Sequence, residues 1–271
     1  PLFIANNWIP GGDQHRILSA NENYESRDKN GLLKRMEPQL SFLEEENKTA
    51  HSFLKSIGIG QQKFVCMIIR DSAYLKNADY HNYRDVDIST LKEATLALAE
   101  KGYWVFRMGK VVHEPFKSDH PRILDYANSD YRSDFLDVWL MANCEFCIST
   151  GLGLDEVSRI FRRPAVYVNY LPFSLLVTYD HALSVPKHLV WSTSNRRLTL
   201  AEHLSHAYGK SQEYDEAGLR GDLRLPDERG RHRVDIGFVG PRRIRCDGYV
   251  GRCRCHFGEH VCHSGQRRAA H

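Results

Sequence analysis

Phe146-Cys147-Ile148-Ser149-Thr150-Gly151-Leu152-Gly153-Leu154-Asp155 is the stretch that decides the fold. A short apolar run of strand length feeds a turn of small and hydroxyl-bearing residues. The turn feeds a helical pattern over Asp155 to Phe161. The first amides of a helix lack intrahelical partners and carry the positive end of its dipole. Glycine lets an anion approach the backbone, and Ser or Thr adds a hydroxyl donor. Ser149, Thr150, Gly151, Gly153 and Asp155 are therefore candidates for a diphosphate clamp. The bland reading of the same residues is a glycine turn in which Ser149 or Thr150 caps the helix. No Gly-Lys-Ser/Thr follows, so the turn is not a Walker loop.

The same alternation continues on both sides. Phe64-Val65-Cys66-Met67-Ile68-Ile69 is a continuous apolar run, the pattern of a strand buried on both faces. Upstream, Ser41 opens a capping box with Glu44 for a helix that stops at Gly58. Downstream, Ser89 can cap a helix with Leu91, Ala94, Leu96 and Leu98 on or near its inner face, and Gly102 ends it. Tyr103 to Phe106 reads as the second strand, and Ile123 to Tyr126 as a short third. Ser133 precedes a short helix over residues 135–142. Pro164 breaks the helix after Asp155, Ala165 to Val168 is the last clear strand, and Thr199 to Tyr208 is a final helix. Strands alternating with helices over short links predict a parallel sheet with right-handed crossovers. The fold class is α/β, a Rossmann-like unit over residues 41–219 with an irregular lead-in over residues 1–40.

In such sheets ligands bind outside the carboxyl ends of the strands. Those ends are Arg70-Asp71, Arg107 to Gly109, Ser149 to Gly151 and Asn169-Tyr170. Arg70 and Arg107 end different strands and can reach one anionic group from two sides. The alternative is that they form salt bridges with Asp71 or Asp85. His81-Asn82-Tyr83-Arg84-Asp85 is a dense polar loop after the first strand, and Arg84 joins the candidates. No Gly-x-Ser-x-Gly elbow is present, which argues against a Ser-His-Asp hydrolase. No Gly-x-Gly-x-x-Gly follows the first strand, which argues against a dinucleotide-dependent dehydrogenase.

The charge of the 271-residue chain is split. Residues 1–219 hold 25 Lys+Arg against 28 Asp+Glu, whereas residues 220–271 hold 12 Arg, no Lys and 6 Asp+Glu. The body is thus slightly acidic, and no nucleic-acid partner is expected for it. The residues past Leu219 show neither helical nor strand periodicity. Stretches such as Arg242-Arg243-Ile244-Arg245 read as an unselected, frameshifted frame and predict a disordered tail. Cys246, Cys253, Cys255 and Cys262 with His256, His260 and His263 fit no regular zinc finger, because paired Cys-x-x-Cys ligands are absent. An Arg-rich RNA-binding tail is the other alternative. Cys66, Cys144 and Cys147 read as reduced core thiols, so a reducing cytoplasm is expected. No run of 18 apolar residues occurs and no signal peptide is visible at the start. The chain has no initiator Met and reads as a fragment lacking its N-terminal part.

Several stretches resemble a family of bacterial glycosyltransferases. They are Phe64 to Tyr74, His81 to Asp85, Gly102 to Gly109, Ile123 to Ala127, Arg132 to Asp137 and Arg162 to Tyr170. The likeness begins near Asn6-Asn7-Trp8-Ile9-Pro10-Gly11-Gly12, includes Ser26 to Leu33, and ends near Leu219. More distantly, Ser149 to Pro164 is similar to the donor-site segment of heptosyltransferase-like GT-B enzymes. Where those often carry a His, this chain has Leu154 and Asp155. The resemblance implies the C-terminal, donor-binding half of a GT-B enzyme, with Thr150 and Gly151 on the diphosphate. It implies metal-independent transfer from a nucleotide diphosphate sugar to a surface polysaccharide or glycolipid acceptor, with no cofactor. The setting implied is the cytoplasm or the periphery of the inner membrane. The general base of GT-B enzymes usually lies in the N-terminal domain, and the early candidates here are Asp13 and His15. The contrasting expectation is a non-catalytic nucleotide- or phosphate-binding module.

Overall fold

The computed structural model describes residues 32–74, 84–171, 181–191, 194–205 and 223–224. Its centre is a six-stranded sheet: β1 (Phe64–Ile68), β2 (Trp104–Met108), β3 (Ile123–Leu124), β4 (Cys147–Ser149), β5 (Ala165–Tyr170) and β6 (Ala182–Pro186). All neighbours pair in parallel, in the order β3-β2-β1-β4-β5-β6. This is the doubly wound Rossmann-like order, in which the chain winds outward from β1 to β3 and then returns to the far side of β1 as β4.

Successive strand residues face opposite sides, and both sides are covered. Phe64, Cys66 and Ile68 of β1 join one apolar cluster with Phe106, Cys147 and Tyr167. Val65, Met67 and Ile69 join the other with Val105, Ile148 and Val166. That two-sided burial is why β1 reads as an unbroken apolar run. The first face is covered by α2 (Glu44–Ser56) and α4 (Asp134–Asn143), which contribute Phe53, Leu54, Trp139 and Leu140. The second is covered by α3 (Lys92–Glu100) through Leu98 and Ala99. Among the described residues the other α-helices are the short α1 (Leu32–Arg35), α5 (Asp155–Ile160) and α6 (Leu200–Ser205).

Several boundaries differ from expectation. Ser41 does not cap α2; Leu43 is the N-cap residue, and its N–H donates to the Glu46 carboxylate at 2.7 Å. Phe42 stacks on Phe161 with centroids 5.3 Å apart and packs against Trp139, which fixes the entry to the helix two residues later. Asp87 rather than Ser89 caps the next helical segment, accepting the Ser89 N–H, and a 3-10 turn over Ile88–Leu91 precedes α3. Leu96 lies on the exposed side of α3, while Thr95 is buried. Ser133 does cap α4, accepting the Leu136 N–H at 3.2 Å. β5 is not the last strand of the sheet. β6 extends it as a partly exposed edge, too mixed in character to read as a buried strand. Beyond the sheet, Leu223–Arg224 pairs antiparallel with Val190–Trp191, a few residues past the expected composition break. Among the described residues no helix is long and apolar enough to cross a membrane.

Candidate functional site

The strand order places the switch crevice between the carboxyl ends of β1 and β4. Ile68 lies in register with Ser149, and just beyond them the Arg70 N–H donates to Thr150 Oγ1 at 2.8 Å. Above that junction opens a cleft of about 800 Å³, within the size range of small-molecule sites. Arg70, Asp71 and Arg84 form its β1 side. Gly109 and Lys110, after β2, form a second wall. Arg132, Asp134 and Asp137 at the start of α4 form a third. Gly151, Gly153, Asp155 and Glu156 form the β4 side.

The β4 turn is not the open clamp its sequence suggests. Ser149 is buried, donates its hydroxyl to Asp155 Oδ2, and accepts the Gly151 N–H at 3.0 Å. The same Asp155 oxygen accepts the Leu152 N–H at 2.9 Å. Two of the amides expected to meet a phosphate are therefore already satisfied by side chains of the turn. The helix that follows has only six residues, so its dipole is short. Ser149 and Thr150 build the turn from inside; Gly151, Gly153 and the buried Asp155 border the cleft. Gly151 sits at φ +81°, and a Cβ there would lie 2.3 Å from Cε2 of Tyr170. Only glycine fits. The carboxyl of Asp155 is 1% exposed. Burial pushes its pKa up to about 6, against the hydrogen bonds from Ser149 and Leu152, which pull it down.

The cations divide differently from expectation. Arg84 reaches across the crevice, its Nη2 donating to the Gly151 carbonyl at 2.5 Å. Arg70 is 7% exposed and lies 3.2 Å from Asp85 Oδ1. That contact is an ion pair by distance without hydrogen-bond alignment, since Arg70 Nε and Nη2 have no hydrogen-bond partner. Arg107 does not meet Arg70 over a common anion in the main cleft. It is buried, bonded to Asp125 at 3.1 Å and within 3.9 Å of Asp71. It borders a separate cavity of about 370 Å³ with Arg70, His113 and Glu114. Its strand position points it beneath the loops that Asp71 and Asp125 tie down; Asp71 accepts the N–H groups of Ala73 and His113. Asn169 also falls outside the cleft lining. It adopts φ +51° at the irregularity where the β5–β6 register shifts, a conformation Asn tolerates. Tyr170, just beyond this irregularity, lies against Gly151, and burial raises its phenol pKa to about 12.

The α4 wall was not among the expected site residues. Arg132 Nη2 donates to Asp137 Oδ2 at 2.6 Å and also to Asp134, and Lys110 Nζ is 3.3 Å from Asp134. Asp137 is 6% exposed, and its Oδ1 has no hydrogen-bond partner. Burial raises its pKa, against the pull of Arg132. Arg132 and Lys110 hold that of the exposed Asp134 down. One signal did point here: the Ser133 cap places a helix start just after the carboxyl end of β3, a strand end left out of the candidates.

Asp13 and His15 lie outside the described residues, as do His81, Asn82 and Tyr83 of the polar loop and the cysteines and histidines of the tail. Cys66, Cys144 and Cys147 are buried free thiols, and burial pushes those of Cys66 and Cys147 well up. Among the described residues no group of three His, Cys, Asp or Glu side chains is placed to hold a metal ion. No family model, curated protein or solved structure matches the chain.

Proposed function

We propose that the cleft binds a nucleotide diphosphate sugar and that the chain is the donor-binding half of a GT-B-like glycosyltransferase acting on a surface polysaccharide or glycolipid. One observation carries the binding half of this reading. Arg84 donates to the Gly151 carbonyl, and the buried, incompletely partnered Arg70 donates its backbone N–H to Thr150 Oγ1, at the switch crevice of a doubly wound sheet. That is where such sheets receive phosphorylated ligands, and guanidinium groups suit phosphate oxygens. The transfer half rests on the sequence resemblance.

In the proposed reaction the acceptor hydroxyl oxygen forms a bond to the anomeric carbon. The bond from that carbon to the β-phosphate oxygen breaks, its electron pair leaves with the nucleoside diphosphate, and the acceptor proton passes to a base. Charge grows on the leaving diphosphate, so cations already in place stabilise the transition state more than the ground state. Arg84 serves this role by exchanging the Gly151 carbonyl for a phosphate oxygen. Asp13 and His15 remain the proposed sources of the base.

The test is titration of the full chain with UDP-, GDP-, CMP- and ADP-sugars, with nucleotide release as the readout of transfer or hydrolysis. Binding of at least one diphosphate donor is expected, and Arg84→Ala should weaken it about tenfold or more, the loss of a charge-assisted hydrogen bond. Unchanged affinity in that variant overturns the assignment of Arg84. Binding without turnover supports a non-catalytic nucleotide-binding module instead.

A further inference from the structure

We infer that the α4 wall of the cleft, built on Arg132, Asp134 and Asp137, is the subsite for the donor's sugar and that it selects a neutral, polyhydroxylated sugar over an anionic one. This rests on the donor reading above and goes beyond it, because that reading names no sugar class and uses no residue of this wall.

The α4 wall keeps hydrogen-bonding capacity that its own residues do not use. Asp137 is almost wholly buried and borders the cleft; its Oδ2 is engaged by Arg132, and the Tyr126 hydroxyl lies beside the carboxyl. Its Oδ1 and Arg132 Nε have no hydrogen-bond partner. A buried acceptor left unmade is costly, and a donor that enters the wall recovers that cost. The donor has to be an O–H or N–H, since a carboxylate oxygen only accepts. Sugar hydroxyls fit, because each can donate to a carboxylate while accepting from a guanidinium.

Charge is also unevenly distributed around the cleft. The cations able to meet phosphate, Arg70 and Arg84, cluster at the β1–β4 crevice. On the α4 wall, Lys110 and Arg132 are both committed to Asp134, and Arg132 also to Asp137. Glu156, itself paired with Arg159, and the buried Asp155 border the same cleft from the β4 side. Arg70 and Arg84 thus sit where a diphosphate enters, whereas on the α4 wall two cations and two carboxylates balance and both cations are already committed. A sugar carboxylate placed there meets like charge in a partly desolvated site, an arrangement that discriminates strongly against the wrong ligand.

The experiment compares each nucleotide that binds the full chain in three forms: bare diphosphate, glucose conjugate and glucuronate conjugate. Isothermal titration of the wild type should show the glucose conjugate binding about tenfold or more tightly than the glucuronate conjugate, a discrimination of order 1.4 kcal/mol. Asp137→Asn should weaken the glucose conjugate by about fivefold to tenfold, the loss of one hydrogen bond to a charged group, and leave the bare diphosphate unchanged. Asp134→Asn, at an exposed position that does not threaten folding, should narrow the glucose-to-glucuronate ratio. Glucuronate binding as tight as glucose overturns the inference alone, as does an equal loss of bare diphosphate and sugar conjugate in Asp137→Asn with an unchanged melting temperature. Absence of any nucleotide binding by the wild type overturns the donor reading and this inference with it.

Discussion

The two strand ends that flank the switch crevice are built on opposite plans. After β4, Ser149, Asp155 and the amides of Gly151 and Leu152 satisfy one another within a single turn. After β1, Arg70 keeps Nε and Nη2 without hydrogen-bond partners although it is almost fully buried. The turn with the more suggestive sequence thus has the less spare capacity. A ligand site is defined by what the fold leaves unmade, because a satisfied buried group gains nothing from a ligand. The β4 turn shapes the crevice; the β1 side holds the groups that can bind.

The sharpest way to break this contrast is Gly151→Ala. The added Cβ meets the Tyr170 ring at 2.3 Å on a backbone at φ +81°. Left-handed backbone cost and overpacking together should lower stability by on the order of 3–5 kcal/mol. Urea unfolding checks this, and a change under 1 kcal/mol would mean that the turn is not held as described.

The next effect is a pH dependence that belongs to the β4 side. Asp155 has its pKa raised by burial from 3.8 to about 6. Between those values the folded state binds more protons than the unfolded state. The contribution to stability is therefore fully present below about pH 4 and is lost as pH rises through about 6, by roughly 3 kcal/mol in all. Denaturant midpoints across pH 4–7 measure this slope. Asp155→Asn should flatten it; a slope of the same size in that variant would assign it to another group.

Thr150→Val tests the one hydrogen bond that joins the two sides. Losing the acceptor for the buried Arg70 N–H should cost about 1–3 kcal/mol, read as a lower melting temperature. A neutral outcome would show that the two strand ends are held together by the sheet alone. The smallest effect on stability is expected from Arg84→Ala, within about 1 kcal/mol, although its effect on affinity for the proposed diphosphate donor should be the largest. That dissociation of stability from binding separates the β1 side from the β4 side, where both fall together.

Much of the fold is legible along the chain. The unbroken apolar run of Phe64–Ile69, the Ser133 cap, and the glycines at 58 and 102, with φ +83° and +94°, carry local rules that hold wherever the segment sits. The edge strand β6 and the start of α2 are not legible in the same way. An edge strand is half exposed, and a helix start is set by what its first residues pack on, here Phe42 against Phe161. The site was legible as a place and not as a set of partners. Arg70, Asp71, Arg84, Gly109, Gly151, Gly153 and Asp155 do border the cleft. Arg107 and Asn169 end strands just as plausibly and point elsewhere. Asp137 is not legible as a site residue beyond the Ser133 cap that starts its helix, because its place at the cleft depends on a crossover helix returning from β3 to β4.

The sequence by itself determined a buried parallel α/β sheet and the strand ends where a ligand can meet it, because periodicity, caps and glycine turns act within a few residues. Only the tertiary structure decided which polar groups at those ends remain available. Hydrogen bonds such as Ser149 to Asp155, Arg84 to Gly151 and Arg132 to Asp137 depend on how each segment is brought against its neighbours. What they leave unpaired, at Arg70 and Asp137, can be counted only once those neighbours are in place.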